Sequence, residues 1–305
     1  MNSRIFLFLV ILSNLIFTGC SPQEQSPKHV FIIGIDGLSL YGLKTANTPN
    51  LDKLSQEGVL STSTRAVMPS ITMPNWGSHL MGSGPEQHGI LGNDWRVDNF
   101  KLKGVEADQD GYYPSIFKLV KEQVQGAKTA FFYNWGNLIN LVNKKYLDVA
   151  EYEDHDGFKE NYAKAFEFAK ENKGVPTLIF LYTGSTDNAG HRYTYTSPEY
   201  VKAVEAVDQE IGHLIKNLKE ANMYDKTDIL VITDHGGSGY GHGGTSIEEM
   251  EIPWIIRGPG VNVNQKMSVP NDVTNTANVV ASIFGINNIP SGWTGKVPEG
   301  IFVSK

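Results

Sequence analysis

Six side chains of metal-ligand type fall in three short stretches of the chain. Asp36 closes the apolar run Val30-Phe31-Ile32-Ile33-Gly34-Ile35. Asp187 and His191 stand four residues apart in Asp187-Asn188-Ala189-Gly190-His191. Asp234, His235 and His242 share a glycine-rich stretch that runs from Thr233 to Gly244. A hydroxyl residue, Thr72, lies between the first and second stretches, in Met68-Pro69-Ser70-Ile71-Thr72-Met73-Pro74-Asn75. Three carboxylates and three imidazoles form a ligand set for two divalent ions. Such a pair can hold a phosphate between them and ionise a hydroxyl nucleophile. These residue types imply metal-dependent hydrolysis of phosphate esters.

Taken singly, the pieces have ordinary explanations. Asp36-Gly37 after a strand makes a common turn. An Asp-x-x-x-His pair can be a surface pair on a helix, and Thr72 can be a helix N-cap. Asp234-His235-Gly236 is more specific, because a buried strand delivers two polar groups into a loop whose glycines let the backbone crowd a ligand. The other histidines have other readings. His79 and His88 read as packing or supporting groups near Thr72. His29 precedes the first strand, His155 lies in a polar stretch, and His213 sits mid-helix.

The elements that must position these residues alternate strand with helix. Val30–Ile35, Lys128–Tyr133, Thr177–Tyr182 and Asp228–Thr233 are apolar, β-branched or aromatic runs of strand length. Val59–Val67 and Pro253–Ile256 read as further extended pieces. Helices are expected from Leu51 to Glu57 behind Thr48-Pro49-Asn50, and from Asn75 to Met81 behind Pro74. Others are expected over Ser115–Gln125, Asp156–Lys173, Pro198–Ala221 and Asn275–Phe284, the last stopped by Gly285. The pattern is an α/β sheet covered on both faces. Asp36, Asp187 and Asp234 all follow the C-terminal ends of strands, the edge where ligands collect in open α/β sheets.

The N-terminus reads as an address. Arg4 precedes the apolar stretch Ile5–Phe17, followed by Thr18-Gly19-Cys20, the pattern of a signal peptide over residues 1–19. Cys20 is the single cysteine of the chain, so no intramolecular disulfide can form. Its offset resembles a bacterial lipoprotein signal, which implies lipidation at Cys20, a membrane anchor in the cell envelope, and a flexible tether over residues 20–28. About 280 residues remain, enough for one large domain spanning 29–305. A net charge of −7 argues against binding to nucleic acid.

In order along the chain, several segments resemble the alkaline phosphatase superfamily, and within it the type I phosphodiesterase/nucleotide pyrophosphatase family. They are Ile33-Gly34-Ile35-Asp36-Gly37, the Thr72 segment, Gly84-Pro85-Glu86-Gln87-His88-Gly89-Ile90-Leu91-Gly92-Asn93, Tyr182 with Asp187 and His191, Thr233-Asp234-His235-Gly236, Ile252-Pro253-Trp254 and Gly258-Pro259-Gly260-Val261. The resemblance implies an α/β/α sandwich around a central, mostly parallel sheet. It implies two divalent ions, zinc by family. Asp36, Thr72, Asp234 and His235 hold one, and Asp187, His191 and His242 hold the other. Thr72 is the implied nucleophile, passing through a phosphothreonine with net retention at phosphorus. Asn93, with a backbone N–H near Thr72, is implied to bind a non-bridging phosphate oxygen. The expected partner is a phosphate-ester small molecule, a nucleotide or a lipid head group.

Two departures from the family qualify this. Met73 stands where the nucleotide-cleaving members have a Phe that stacks on the base with the Tyr of the Tyr-x4-Asp segment, here Tyr182. His242 follows His235 by only seven residues, whereas the family usually places its last histidine ligand much further on. A close His-Gly of this kind occurs in phosphoethanolamine-handling transferases, and no later histidine is present. The missing insertion implies a shallower rim around the metals. Phosphomonoesterase, phosphonate hydrolase and phosphoethanolamine-type transferase therefore stand as alternatives. A monoesterase needs extra positive charge, for which Arg65 and Arg96 are the nearest basic residues. An inactive hydrolase-fold binding lipoprotein is a further alternative. A sulfatase is disfavoured by Thr72, and a purely structural zinc site by the lack of sulfur ligands.

Overall fold

The computed structural model describes residues 28–154 and 158–304. The signal-like segment, Cys20, the tether up to residue 27 and His155 lie outside these residues.

In chain order the elements are β1 (His29–Ile35), α1 (Leu40–Thr45), α2 (Pro49–Gln56), β2 (Val59–Arg65), α3 (Thr72–Met81), α4 (Pro85–His88) and α5 (Ile116–Gln123). There follow β3 (Lys128–Tyr133), β4 (Val149–Tyr152), α6 (Phe158–Glu171), β5 (Thr177–Thr183), α7 (Ser185–Tyr193) and α8 (Pro198–Glu220). The chain closes with β6 (Thr227–Ile232), α9 (Ile247–Met250), β7 (Glu251–Arg257), β8 (Gln265–Lys266) and α10 (Asn275–Phe284). The strands form one 8-stranded sheet in the order β4-β3-β5-β1-β6-β7-β2-β8. All pairings are parallel except those of β7 with β6 and with β2, so β7 alone runs against the rest.

β1 explains why its sequence is an unbroken apolar run. Val30 and Ile32 point into one hydrophobic cluster with Trp76, Phe117 and Val280, from α3, α5 and α10. Phe31, Ile33 and Ile35 point into a second cluster with Leu51, Ala165 and Ile211, from α2, α6 and α8. A central parallel strand covered on both sides has no solvated face and therefore no polar alternation. The result is the expected α/β/α sandwich.

Central placement of β1 also builds the site. It pairs in parallel with β5 on one side and β6 on the other, with Ile35 opposite Thr183 and Gly34 opposite Ile232. The three strands end level, and the segments beginning at Asp36, Gly184 and Thr233 leave the sheet side by side.

Local differences from expectation have local causes. α3 begins at Thr72 rather than Asn75, because Pro74 falls in the first turn, where its missing N–H leaves no helical bond unmade. α1 is a six-residue helix capped by Ser39, whose side chain accepts from Gly42 N–H. β4 is a four-residue strand on the sheet edge. Both are too short to show a period. α7 spans the Asp187–His191 pair, so the spacing of four puts both on one helix face.

Candidate active site

Asp36 follows β1, and its backbone N–H stays in the ladder by donating to Thr183 O at 2.9 Å. Gly37 then turns with φ +67, and a Cβ there would lie 3.1 Å from Asp187. Glycine is needed both for the left-handed backbone and for the close approach. The Gly37 N–H donates to Asp234 Oδ1 at 3.1 Å, tying the ends of β1 and β6 together. Tyr182, on β5, donates its hydroxyl to Asp36 Oδ2 at 2.5 Å, and the Trp76 indole N–H approaches the same oxygen at 3.4 Å.

One oxygen of each carboxylate is thus committed to the protein, and the other is not. Asp36 Oδ1, Asp234 Oδ2 and His235 Nε2 are buried and have no hydrogen-bond partner. They face one another: His235 Nε2 lies 3.1 Å from Asp234 Oδ2 and 3.5 Å from Asp36 Oδ1. Leaving a buried polar atom unsatisfied costs about 1–3 kcal/mol, so three converging on one point describe a cation site. Among the described residues, Asp36, Asp234 and His235 form one group whose ligand atoms lie within 4.8 Å of each other, and Asp187, His235 and His242 form a second.

The imidazoles are oriented alike. His191 Nδ1 donates to Tyr240 O at 2.8 Å, His235 Nδ1 to Gly236 O at 2.8 Å, and His242 Nδ1 to Ser70 O at 3.0 Å. A carbonyl can only accept, so each Nδ1 carries a proton and each Nε2 faces the site, where it can take up a second proton or bind a cation. His191 Nε2 and His242 Nε2 are 3.1 Å apart. His191 Nε2 is 3.4 Å from Asp187 Oδ2, and His242 Nε2 is 3.6 Å from Asp187 Oδ1. The His235 and His242 rings stack at 3.5 Å between centroids, so His235 lies between the two halves. Donor atoms facing each other at such range call for a proton or a metal ion between them.

The electrostatics agree. Burial, then the charges of Asp234 and Asp187, push Asp36 well above the usual carboxylate range. His235 is pushed up to about 10: its burial opposes this, but the negative charges of Asp234 and Asp36 prevail. Burial also opposes ionisation of Asp187, yet the His191 hydrogen bond and the His235 and His242 charges bring it down to about 2. Crowded carboxylates that hold a proton on a neighbouring imidazole mark a place suited to a positive ion. The oxygen and nitrogen donors fit zinc and also fit manganese or iron.

Thr72 opens α3. Asn93 Nδ2 approaches Thr72 Oγ1 at 3.5 Å, while Asn93 Oδ1 accepts from Met73 N–H at 2.9 Å. That second bond points the amide's donor end toward the hydroxyl. Asn75 N–H goes to Ile71 O and Pro74 has no N–H, so Thr72 N–H is the first-turn donor left for a ligand. The loop before it is stapled by Asn75, whose Oδ1 accepts from Val67 N–H at 2.7 Å. Ser70 joins this loop to the last histidine: its hydroxyl donates to Gly244 O at 2.7 Å and accepts from Gly243 N–H at 3.1 Å.

Both residues of the expected stacking slot are buried. Tyr182 is 2 % exposed and Met73 has no exposed surface. The Tyr182 ring packs edge-on against Trp76 and its hydroxyl is spent on Asp36. Neither arginine is free: Arg65 pairs with Glu251 at 2.8 Å, and Arg96 donates to Trp95 O and to Asn137 Oδ1. His79 and His88 are supporting groups as expected. Burial holds His79 at about 4, and it joins Thr276 Oγ1 to Thr233 O. His88 bonds Ser78 Oγ. His29, read as preceding β1, is its first residue and bonds Thr177 Oγ1. Sequence reasoning missed Tyr195, whose hydroxyl donates to Asp187 Oδ1. It sits among several tyrosines with nothing local to single it out.

Known proteins place this geometry. Ectonucleotide pyrophosphatase/phosphodiesterase family member 3 of Rattus norvegicus is 29 % identical over 223 residues, covering 70 % of this chain and 25 % of its own length. Bis(5'-adenosyl)-triphosphatase ENPP4 of Bos taurus is 25 % identical over 237 residues, covering 75 % of this chain and 52 % of its own. The chain thus spans a quarter to about half of these relatives. In structure, an inactive variant of murine ectonucleotide pyrophosphatase/phosphodiesterase 5 in complex with AMP superposes with a TM-score of 0.74 at 17 % identity, covering 87 % of this chain and 96 % of that one. This shows a shared alkaline phosphatase-like fold. Residues 30–280 match the family described as Type I phosphodiesterase / nucleotide pyrophosphatase, and the chain belongs to that family.

Proposed function

We propose that this protein is a two-metal phosphodiesterase of nucleotide-pyrophosphatase type that works through a phosphothreonine on Thr72. The observation that carries the reading is the convergence of three buried, unpartnered ligand atoms, Asp36 Oδ1, Asp234 Oδ2 and His235 Nε2. Asp36, Asp234 and His235, with Thr72, hold one ion, and Asp187, His191 and His242 hold the other. When bound, the ions, zinc by family resemblance, supply Lewis acidity that favours the alkoxide and offsets phosphate charge.

The chain's own groups do the rest. Thr72 Oγ1 attacks phosphorus in line, so the Thr72 O–P bond forms while the bond to the leaving oxygen breaks, and the proton lost by the Thr72 hydroxyl ends on that oxygen to give the alcohol. Asn93 Nδ2 and Thr72 N–H donate to a non-bridging oxygen as charge gathers there. Water then attacks the phosphothreonine from the side the alcohol left, and Thr72 regains its proton. Two in-line steps give retention. The commitment of Arg65 and Arg96 elsewhere favours a diester over a monoester, whose extra charge calls for a free cation.

The test compares hydrolysis of a nitrophenyl phosphodiester with that of the matching monoester, with zinc and after chelation. Zinc-dependent turnover favouring the diester is expected. Preference for the monoester would reassign the protein as a phosphatase. Turnover of neither substrate with two metals bound would point to a transferase. The proposal includes a lipid anchor at Cys20, checked by mass spectrometry of the N-terminal peptide; an unmodified Cys20 in the mature protein would exclude it.

A further inference from the structure

Tyr195 touches every residue assigned to the second metal. Its hydroxyl donates to Asp187 Oδ1. Its ring meets His191 edge-on at 6.1 Å between centroids and 76°, and His242 at 6.4 Å and 77°. Asp187 and His191 come from α7, whereas His242 comes from the loop after β6; the bond from His191 Nδ1 to Tyr240 O ties the two segments at one point, and Tyr195 packs between them. The Tyr195 ring is crowded by both backbones. A Cβ on Gly190, inside α7, would fall 2.6 Å from the ring, and one on Gly237, in the loop, 2.5 Å from it. The ring has no exposed surface, so it acts as a spacer between helix and loop.

The backbone around Tyr195 is bent to put it there. Thr194 has φ 87, a left-handed conformation rare for a β-branched residue. Tyr195 N–H is anchored to Gly239 O at 2.9 Å, in the loop that carries His242. Such strain persists where surrounding contacts over-determine it, and it clusters at functional sites.

We propose that Tyr195 is the positioning residue of the outer half of the centre. Its ring sets the distance between α7 and the 235–242 loop, and its hydroxyl sets the orientation of the Asp187 carboxylate. The proposal rests on the two-metal reading above. It assigns Tyr195 no contact with substrate.

Tyr195→Phe in the full chain separates the hydroxyl from the ring. Zinc binding is measured by chelator competition, with the melting curve of the metal-free protein alongside. One zinc equivalent should bind about 10–100-fold more weakly and the other as in wild type. The metal-free melting temperature should hold, and added zinc should restore turnover. With cobalt in place of zinc, only one of two sets of visible bands should shift. Tyr200→Phe is the control: Tyr200 packs on Tyr195 at 5.3 Å, but its hydroxyl bonds Gly37 O and Ser39 rather than a metal ligand. It should leave both equivalents unchanged. Wild-type affinity at both sites in Tyr195→Phe would overturn the proposal. So would equal weakening of both sites together with a fall in metal-free stability, which would assign Tyr195 to the fold alone. If wild type itself binds fewer than two equivalents, it is the two-metal reading that fails.

Discussion

His242 is held by the loop that leads into Thr72, for its Nδ1 donates to the backbone carbonyl of Ser70, two residues before Thr72, at 3.0 Å. The Ser70 hydroxyl doubles the link through Gly243 and Gly244. His242 and Thr72 therefore cannot move independently. His242→Ala should cost one metal equivalent outright. Ser70→Ala keeps the ligand but loosens its loop, and should weaken that equivalent by about tenfold. Elemental analysis and chelator titration check both, and full metal content in His242→Ala would mean that the site was built from other residues.

Thr72 and Asn93 should fail in different ways. Thr72→Ala removes the attacking oxygen, so turnover should disappear while the melting curve stays. Asn93→Ala removes a donor aimed at the reacting group and should lower kcat by roughly a hundredfold or more. Asn93 Oδ1 also holds Met73 N–H, so Asn93→Asp, which keeps an acceptor there but no donor, separates the two effects. A variant at either position that turns over like wild type removes it from the mechanism.

Tyr182→Phe tests which role its hydroxyl plays. The hydroxyl supports Asp36, so its loss should weaken metal retention, again by about tenfold, and leave the ratio of nucleotide to non-nucleotide diester rates unchanged. A changed ratio with intact metal content would return Tyr182 to the substrate side.

Asp228, away from the centre, makes the fold sensitive to pH. Burial pushes its carboxyl up to about 7, against the opposing charges of Arg257 and Lys28, and one of its oxygens is buried without a partner. Its folded value lies above the unfolded value of 3.8, so the folded state binds its proton more tightly. Its penalty is absent below about pH 4, grows as pH rises toward 7, and is complete above that, on the order of a few kcal/mol. Asp228→Asn should therefore raise the melting temperature by several degrees at pH 8 and change it little at pH 4. The opposite trend would mean that the carboxylate is stabilised in the fold.

Much of the site was legible because strand ends are legible. The apolar runs before Asp36 and Asp234 state both that a buried strand exists and where it stops. Strand–helix alternation then implies that such ends share an edge. What could not be read has non-local causes. The antiparallel direction of β7 depends on its neighbours, since Glu251–Arg257 has the same composition either way. The inward turn of Tyr182 depends on Trp76 and Asp36, distant in sequence. Arg65 and Arg96 read as available charges until Glu251 and Asn137 are seen beside them. Tyr195 is visible only once α7 and the 235–242 loop are packed.

The two halves of the centre differ in access. The side chains of Asp234 and His235 are 0 % exposed and that of Asp36 is 2 %, whereas His191 is 46 % exposed. On the two-metal proposal, an ion in the inner half would be shut from solvent by its own ligands, whereas one in the outer half would reach solvent past His191. Residence times should therefore differ widely, the inner ion persisting through purification and the outer one following its concentration outside the protein. Activity would then track the supply of metal through a single labile ion, and a starved molecule would recover without refolding.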